Sequence, residues 1–189
     1  INFTTGIGTL HLTENTVIDS TGVLKPTNLY LNGFSLTTPG DIEAEYIFGA
    51  GTINCNKTTV NESITVNSNI VINGNLTVKK LIFSNNNLTV NGNCTINNYL
   101  EMTHDGDYLL VNGNLTMSLY SNASSSLSAG TVEVKGDFAE ASSSSYSNYQ
   151  YWETGTHKTI FSGNLVQNVS FNLPSYNCFK NPYFRNPHI

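Results

Sequence analysis

The densest run of ionisable side chains in this chain is Glu101-Met102-Thr103-His104-Asp105-Gly106-Asp107. Carboxylates grouped beside a histidine are the donor types of a hard-cation site, or of a groove that carries acid–base chemistry. The same run is also ordinary turn chemistry, because Asp bonds its own backbone and Gly tolerates tight turns. We take it as a turn and keep a weak cation site at Asp105 and Asp107 as the alternative. Trp152, Glu153 and His157 beside Tyr149 and Tyr151 have the composition of a sugar-binding aromatic platform, although such rings equally fill cores and contacts between subunits. His11 and His188 are isolated. We expect no catalytic residue, no metal site and no cofactor.

Cys55, Cys94 and Cys178 match no zinc or redox spacing. Three cysteines permit one internal disulfide plus a thiol, bonds between subunits, or buried thiols acting as small hydrophobes. Cys178 is the candidate for an intersubunit bond, and a Cys178–Cys55 pair is the alternative within the chain. Nine Asn-x-Ser/Thr sequons occur, at Asn2, Asn56, Asn61, Asn75, Asn87, Asn93, Asn114, Asn122 and Asn168. Asn56, Asn61 and Asn122 have loop-like surroundings and are the expected glycan carriers if the host glycosylates secreted proteins.

The elements that must position these residues are strands. Asn supplies 28 of the 189 residues, with abundant Ser, Thr and Gly, which disfavours helix and favours strands joined by tight turns. Charged residues are 11% of the chain and the net charge is -5, so no basic surface exists to neutralise a phosphate backbone. Nucleic acid is excluded as a partner on that ground. No apolar run exceeds four residues, Tyr108 to Val111, far short of the ~20 that span a bilayer as a helix. The start at Ile1, without Met or a signal-peptide core, fits a mature secreted product or a trimmed sequence.

One motif repeats. Val71-Ile72-Asn73-Gly74-Asn75-Leu76-Thr77-Val78 recurs as Thr89-Val90-Asn91-Gly92-Asn93-Cys94-Thr95-Ile96 and as Leu110-Val111-Asn112-Gly113-Asn114-Leu115-Thr116-Met117. Degenerate copies surround Gly136 and Gly163, and looser ones precede Gly74, as in Leu31-Asn32-Gly33-Phe34. Each copy alternates apolar residues on both sides of a corner, which is period-2 patterning with one buried face. Leu76, Cys94, Leu115 and Phe138 should then form one inward column, and Val78, Ile96 and Met117 another. Asn73, Asn91 and Asn112, and likewise Asn75, Asn93 and Asn114, should stack in rows with amides bonding between turns. Asn-Gly also closes antiparallel hairpins, so a β-sandwich is the rival. The short alternation and the ~18–23-residue period favour a β-solenoid-like stack with irregular coil lengths. We expect it over residues 1–172, followed by an aromatic, proline-rich tail over 173–189 that cannot continue a central strand.

These Gly-(Asn/Asp)-Leu corners resemble those of bactofilin-like and other bacterial or archaeal β-solenoid surface proteins, over about Ile70 to Phe171. The segment from Gly155-Thr156-His157-Lys158-Thr159-Ile160-Phe161-Ser162-Gly163 through Gln167-Asn168-Val169-Ser170-Phe171 also looks like a strand pair of large secreted repeat proteins. The unequal coil lengths depart from the regular bactofilin pattern. The resemblance implies self-association and surface scaffolding rather than catalysis, and archaeal extracellular sheath or thread subunits are a further class it suggests.

The expected function is therefore that of a secreted or cell-surface structural protein whose partners are copies of itself. Ile7, Thr9 and His11 on an alternating N-terminal strand, and Tyr176, Phe179, Tyr183 and Phe184 in the tail, are the expected joining edges. A carbohydrate-binding or adhesive module, with cell-surface glycans as partners, is the alternative. An ice-binding face on the outward threonines Thr77, Thr95 and Thr116 is a lesser one. Ser142 to Ser147 reads as an exposed loop.

Overall fold

A computed structural model describes residues 7–118, 126–141, 151–172, 174–180 and 182–186. The predicted loop at Ser142–Ser147, and Asn2, Asn122, Tyr149 and His188, lie outside the described residues. The described chain is an all-β solenoid of about eight turns, and all its strand pairings are parallel. That disposes of the sandwich. A type I′ hairpin turn needs positive φ at both central residues, and Asn73, Asn91 and Asn112 at the repeated corners have none; at Asn32-Gly33, where both are positive, the flanking strands still pair in parallel with other turns.

Each turn visits three faces. The first begins with Ile7–His11 on Pro26–Tyr30 and continues through 46–48, 63–66, 80–83 and 99–102 to Ser126–Leu127. The second begins with Thr16–Val17 on Ser35–Thr37 and ends with Lys158–Phe161 under Pro182–Phe184. The third begins with Val23–Leu24 and ends with Phe138–Glu140 under Val169–Phe171. The long strands Gly51–Val66 and Ile70–Phe83 run through two corners and serve all three faces.

Alternation along each strand sends every second residue inward. The first face buries Leu29, Ile47, Ile64, Leu81 and Leu100, and the second buries Leu36, Ile53, Ile72, Val90, Val111, Val134 and Phe161. On the third face Leu76, Cys94, Leu115 and Phe138 pair in register and are all buried, as are Val78, Ile96 and Met117. Like residues therefore stack at the ~4.8 Å strand spacing, and no turn can bury its inner face without the next.

Along the corner before the third face the turns lengthen toward the C-terminus. From Asn75 the equivalent positions fall 18, 21, 23 and 31 residues apart, at Asn93, Asn114, Asp137 and Asn168. The last turns are filled by rings: Phe138 meets Tyr151, Phe161 and Phe179 edge-on, with centroids 5.0, 6.2 and 5.3 Å away. The expected separate tail at 173–189 is corrected in consequence. Pro182–Phe184 pairs with Lys158–Phe161, and Cys178 bridges to Trp152, so residues 174–180 and 182–186 belong to the last described turn of the stack. Pro182 is accommodated because no strand among the described residues lies beyond it to require its N–H.

Candidate assembly surfaces

The corner between the second and third faces is built by one short tripeptide. Asn73 Nδ2 donates to Asn54 Oδ1 (2.6 Å), Asn91 to Asn73 and Asn112 to Asn91 (2.5 Å each), so one amide ladder links four turns. The second row works differently from the amide-to-amide expectation. The side-chain oxygens of Asn75, Asn93 and Asn114 accept the backbone N–H of Asn93, Asn114 and Asp137, at 2.9, 2.9 and 2.8 Å. Each such Asn satisfies a main-chain donor that the bend takes out of the sheet ladder. Between the rows the glycines stack backbone on backbone, with Gly113 N–H on Gly92 O at 3.1 Å and Gly136 N–H on Gly113 O at 3.0 Å. A Cβ on Gly92, Gly113 or Gly136 would lie 2.5–2.6 Å from the carbonyl oxygen of the glycine beneath, and one on Gly74 2.1 Å from that of Cys55.

The two ends of the stack differ. At the C-terminal end Phe184 continues the inward column of the second face above Phe161, stacked on it at 5.4 Å, yet 52% of its surface is exposed. Val169 likewise continues the third-face column above Phe138 and is 39% exposed. These are core positions with nothing described above them. Tyr183 is exposed on the outer side, with the Arg185 guanidinium 5.3 Å from its ring centroid. Phe179, expected to face a neighbour, instead packs within its own chain against Phe138, Tyr151, Phe161 and Phe171. Tyr176 lies in a single 3-10 turn, Pro174–Tyr176.

At the N-terminal end Ile7, Thr9 and His11 lie on the first strand, Ile7–His11. Thr9 accepts from Asn28 at 3.2 Å, and the exposed His11 ring stacks on Tyr30, which stacks on Phe48, at 4.4 and 4.7 Å. These ring faces cover one another, and a ladder of this kind leaves mainly edges for solvent.

Several sequence readings meet a different environment. Tyr151, Glu153 and His157 are buried, so these residues of the proposed sugar platform belong to the interior. Tyr151 Oη meets Thr159 Oγ1 at 2.7 Å, Thr159 donates to Glu153, and His157 Nδ1 meets Ala129 O at 2.7 Å. Burial holds the His157 ring below its ordinary pKa and pushes the Tyr151 phenol well above its own. Asp107 is a loop staple: its carboxylate accepts the N–H groups of Asn85, Thr103 and His104 at 2.6, 2.9 and 2.9 Å. Asp105 accepts from Thr156 at 2.8 Å. No group of three or more His, Cys, Asp or Glu able to hold a metal occurs among the described residues.

The three cysteines are free thiols. Cys55 and Cys178 lie several turns apart along the axis, far beyond the ~7 Å Cα limit for a disulfide, which removes the Cys178–Cys55 pair. Cys94 is a core residue whose thiol burial pushes up to about 12, and Cys178 is half-buried near the last turn's end. Among the sequons Asn56 is exposed and donates to Asp41 (3.0 Å), while Asn61 is half-buried and donates to Glu43 (3.3 Å). The outward threonines align as Thr59, Thr77, Thr95 and Thr116, but Glu43 precedes the column and Ala139 follows it. A depression of about 330 Å³ beside Thr59 and Thr77 also breaks the flatness an ice-binding face needs.

A second depression, about 380 Å³, lies on the outer second face near the C-terminal end, between Tyr108, Glu133, Lys158, Tyr183 and Arg185. Burial and then the Glu133 carboxylate raise the Tyr108 phenol to about 12. Burial works to raise Glu133, but hydrogen bonds from Ser162 and Tyr108, 2.6 Å each, outweigh it and hold the carboxyl below its usual range. Tyr183 was expected as a joining edge, but Tyr108, Glu133, Lys158 and Arg185 were not singled out from sequence as part of any site, being spread from 108 to 185. No family model, curated protein or solved structure matches this chain. No described helix is long and apolar enough to cross a membrane.

Proposed function

We propose that this chain is a structural subunit that assembles with copies of itself into an extracellular or cell-surface scaffold of the kind its solenoid corners resemble. One observation carries the reading. The apolar core runs the length of the stack and emerges at the last turn, where Phe184 and Val169 occupy inward columns and remain exposed. A solenoid normally closes such an end with a polar cap, no described residue caps this one, and a core face left open in this way invites another chain. Sedimentation velocity across a concentration range tests this. The wild-type chain should form species that grow with concentration, and Phe184→Glu should stay monomeric while keeping the far-ultraviolet spectrum of the wild type. A wild-type monomer at all concentrations would overturn the reading.

A carbohydrate-binding module remains as a second reading, supported by the depression of Tyr108, Glu133, Lys158, Tyr183 and Arg185, which offers one exposed ring beside charged hydrogen-bonding groups. It calls for saturable binding of soluble oligosaccharides, abolished by Tyr183→Ala, from a chain that does not assemble.

A further inference from the structure

The charges of the two ends are opposite in sign. Through residue 24 the only charged side chains besides histidine are Glu14 and Asp19, and after residue 158 the only ones are Lys180 and Arg185. All four are exposed. The Lys180 ammonium reaches the Gly155 carbonyl at 3.2 Å and Arg185 lies over Tyr183, so both cations belong to the last turn. The stack thus has an acidic N-terminal end and a basic C-terminal end.

We propose that copies join head to tail in a single polarity, the basic C-terminal end of one on the acidic N-terminal end of the next. The inference rests on the self-assembly reading and specifies its partner surface. Register supports it. The second-face column runs Thr16, Leu36, Ile53, Ile72, Val90, Val111, Val134, Phe161, Phe184. Carried across a joint, it sets Phe184 over Thr16 of the following copy. Lys180 and Glu14 then fall at the same corner, just before the second-face strand. Arg185 and Asp19 fall at the corner that follows that strand.

This arrangement continues every ladder in the parallel sense already used within the chain. A tail-to-tail pairing would instead oppose Lys180 and Arg185 to their own copies and make the strands antiparallel at the joint. Because a head-to-tail contact uses two different surfaces, it leaves a free end after each addition and grows as a thread rather than closing as a dimer. Pro182 offers no N–H at that edge, so the joint depends on the core contact and on the two charge pairs.

The test uses two exposed double variants of the full chain, Lys180→Glu with Arg185→Glu and Glu14→Lys with Asp19→Lys. Each alone should need at least a tenfold higher concentration for half-assembly, by sedimentation and light scattering. An equimolar mixture should recover wild-type assembly, because each reversed end then meets its complement. Two results overturn the polarity while leaving self-assembly standing. The first is assembly of both variants like the wild type. The second is loss in the C-terminal variant only, which would mean that the acidic N-terminal end takes no part in the joint. A wild-type chain that never assembles removes this inference together with the reading beneath it.

Discussion

Replacing Leu115 by Ala tests the stacked core most sharply, because the adjacent Thr116 supplies a built-in control. Leu115 is fully buried, paired with Cys94 on one side and Phe138 on the other, in the middle of the stack. Replacing its isobutyl group by methyl loses the transfer energy of three carbons and opens a cavity that turns held by ladder hydrogen bonds on both sides cannot collapse to fill. Buried Leu→Ala changes cost about 2–5 kcal/mol. For a domain of this length each kcal/mol lowers the midpoint by about 2–4 °C, so a fall of about 4–20 °C is expected. Thr116 faces outward between Thr95 and Ala139, and Thr116→Ala should cost under about 1 kcal/mol. Thermal and urea unfolding of the two variants side by side measure the difference. Equal losses in both, or a larger loss at Thr116, would mean that the strand is turned over and the columns are misassigned.

Asn91→Ala removes one bond to Asn73 and one to Asn112 at an exposed corner and should cost about 1–2 kcal/mol in urea unfolding, whereas Gly113→Ala, whose Cβ would meet the Gly92 oxygen at 2.6 Å, should cost more. Asp107→Ala strips three backbone donors of a charged acceptor and should lose about 2–4 kcal/mol, with faster amide exchange at Asn85, Thr103 and His104 as its local signature. The Cys94 thiol ionises near pH 8.5 in the unfolded chain but near 12 in the folded one, so its contribution is complete below the unfolded value and is lost as pH rises from about 8.5 toward about 12. Cys94→Ala should therefore flatten the alkaline fall in stability. In the native wild type at pH 8, Cys178 should react with a thiol reagent before Cys94.

The corner tripeptides carried the fold in the sequence because their demands are local. The glycines are required by backbone contact between turns, and the residue two places past each corner glycine must point inward, so the Leu76, Cys94, Leu115 and Phe138 column followed from spacing alone. The first face did not follow. Its junctions, such as Thr103 to Asp107, vary in length and carry no repeated motif, although Leu81 and Leu100 stack across them as tightly as the corner residues do. Polar residue types misled where turns lengthen: Glu153 and His157 read as surface groups, yet the wider last turns bury them with Tyr151 and satisfy them through Thr159 and the Ala129 carbonyl. Prolines misled in the same way, since Pro174 and Pro182 suggested a tail, while no described strand lies beyond Pro182 to be starved of an N–H. The opposite charges of the two ends were present in the sequence from the outset, but only the three-faced register shows which corners they share.

Electron microscopy of the wild-type chain at high concentration tests the central claim most directly. Eight turns at ~4.8 Å per strand give a subunit about 38 Å long. Threads should appear with an axial repeat near that length and a 4.8 Å spacing parallel to the thread, and Phe184→Glu should abolish them. Dispersed single particles from the wild type, or threads that survive Phe184→Glu unchanged, would contradict the account.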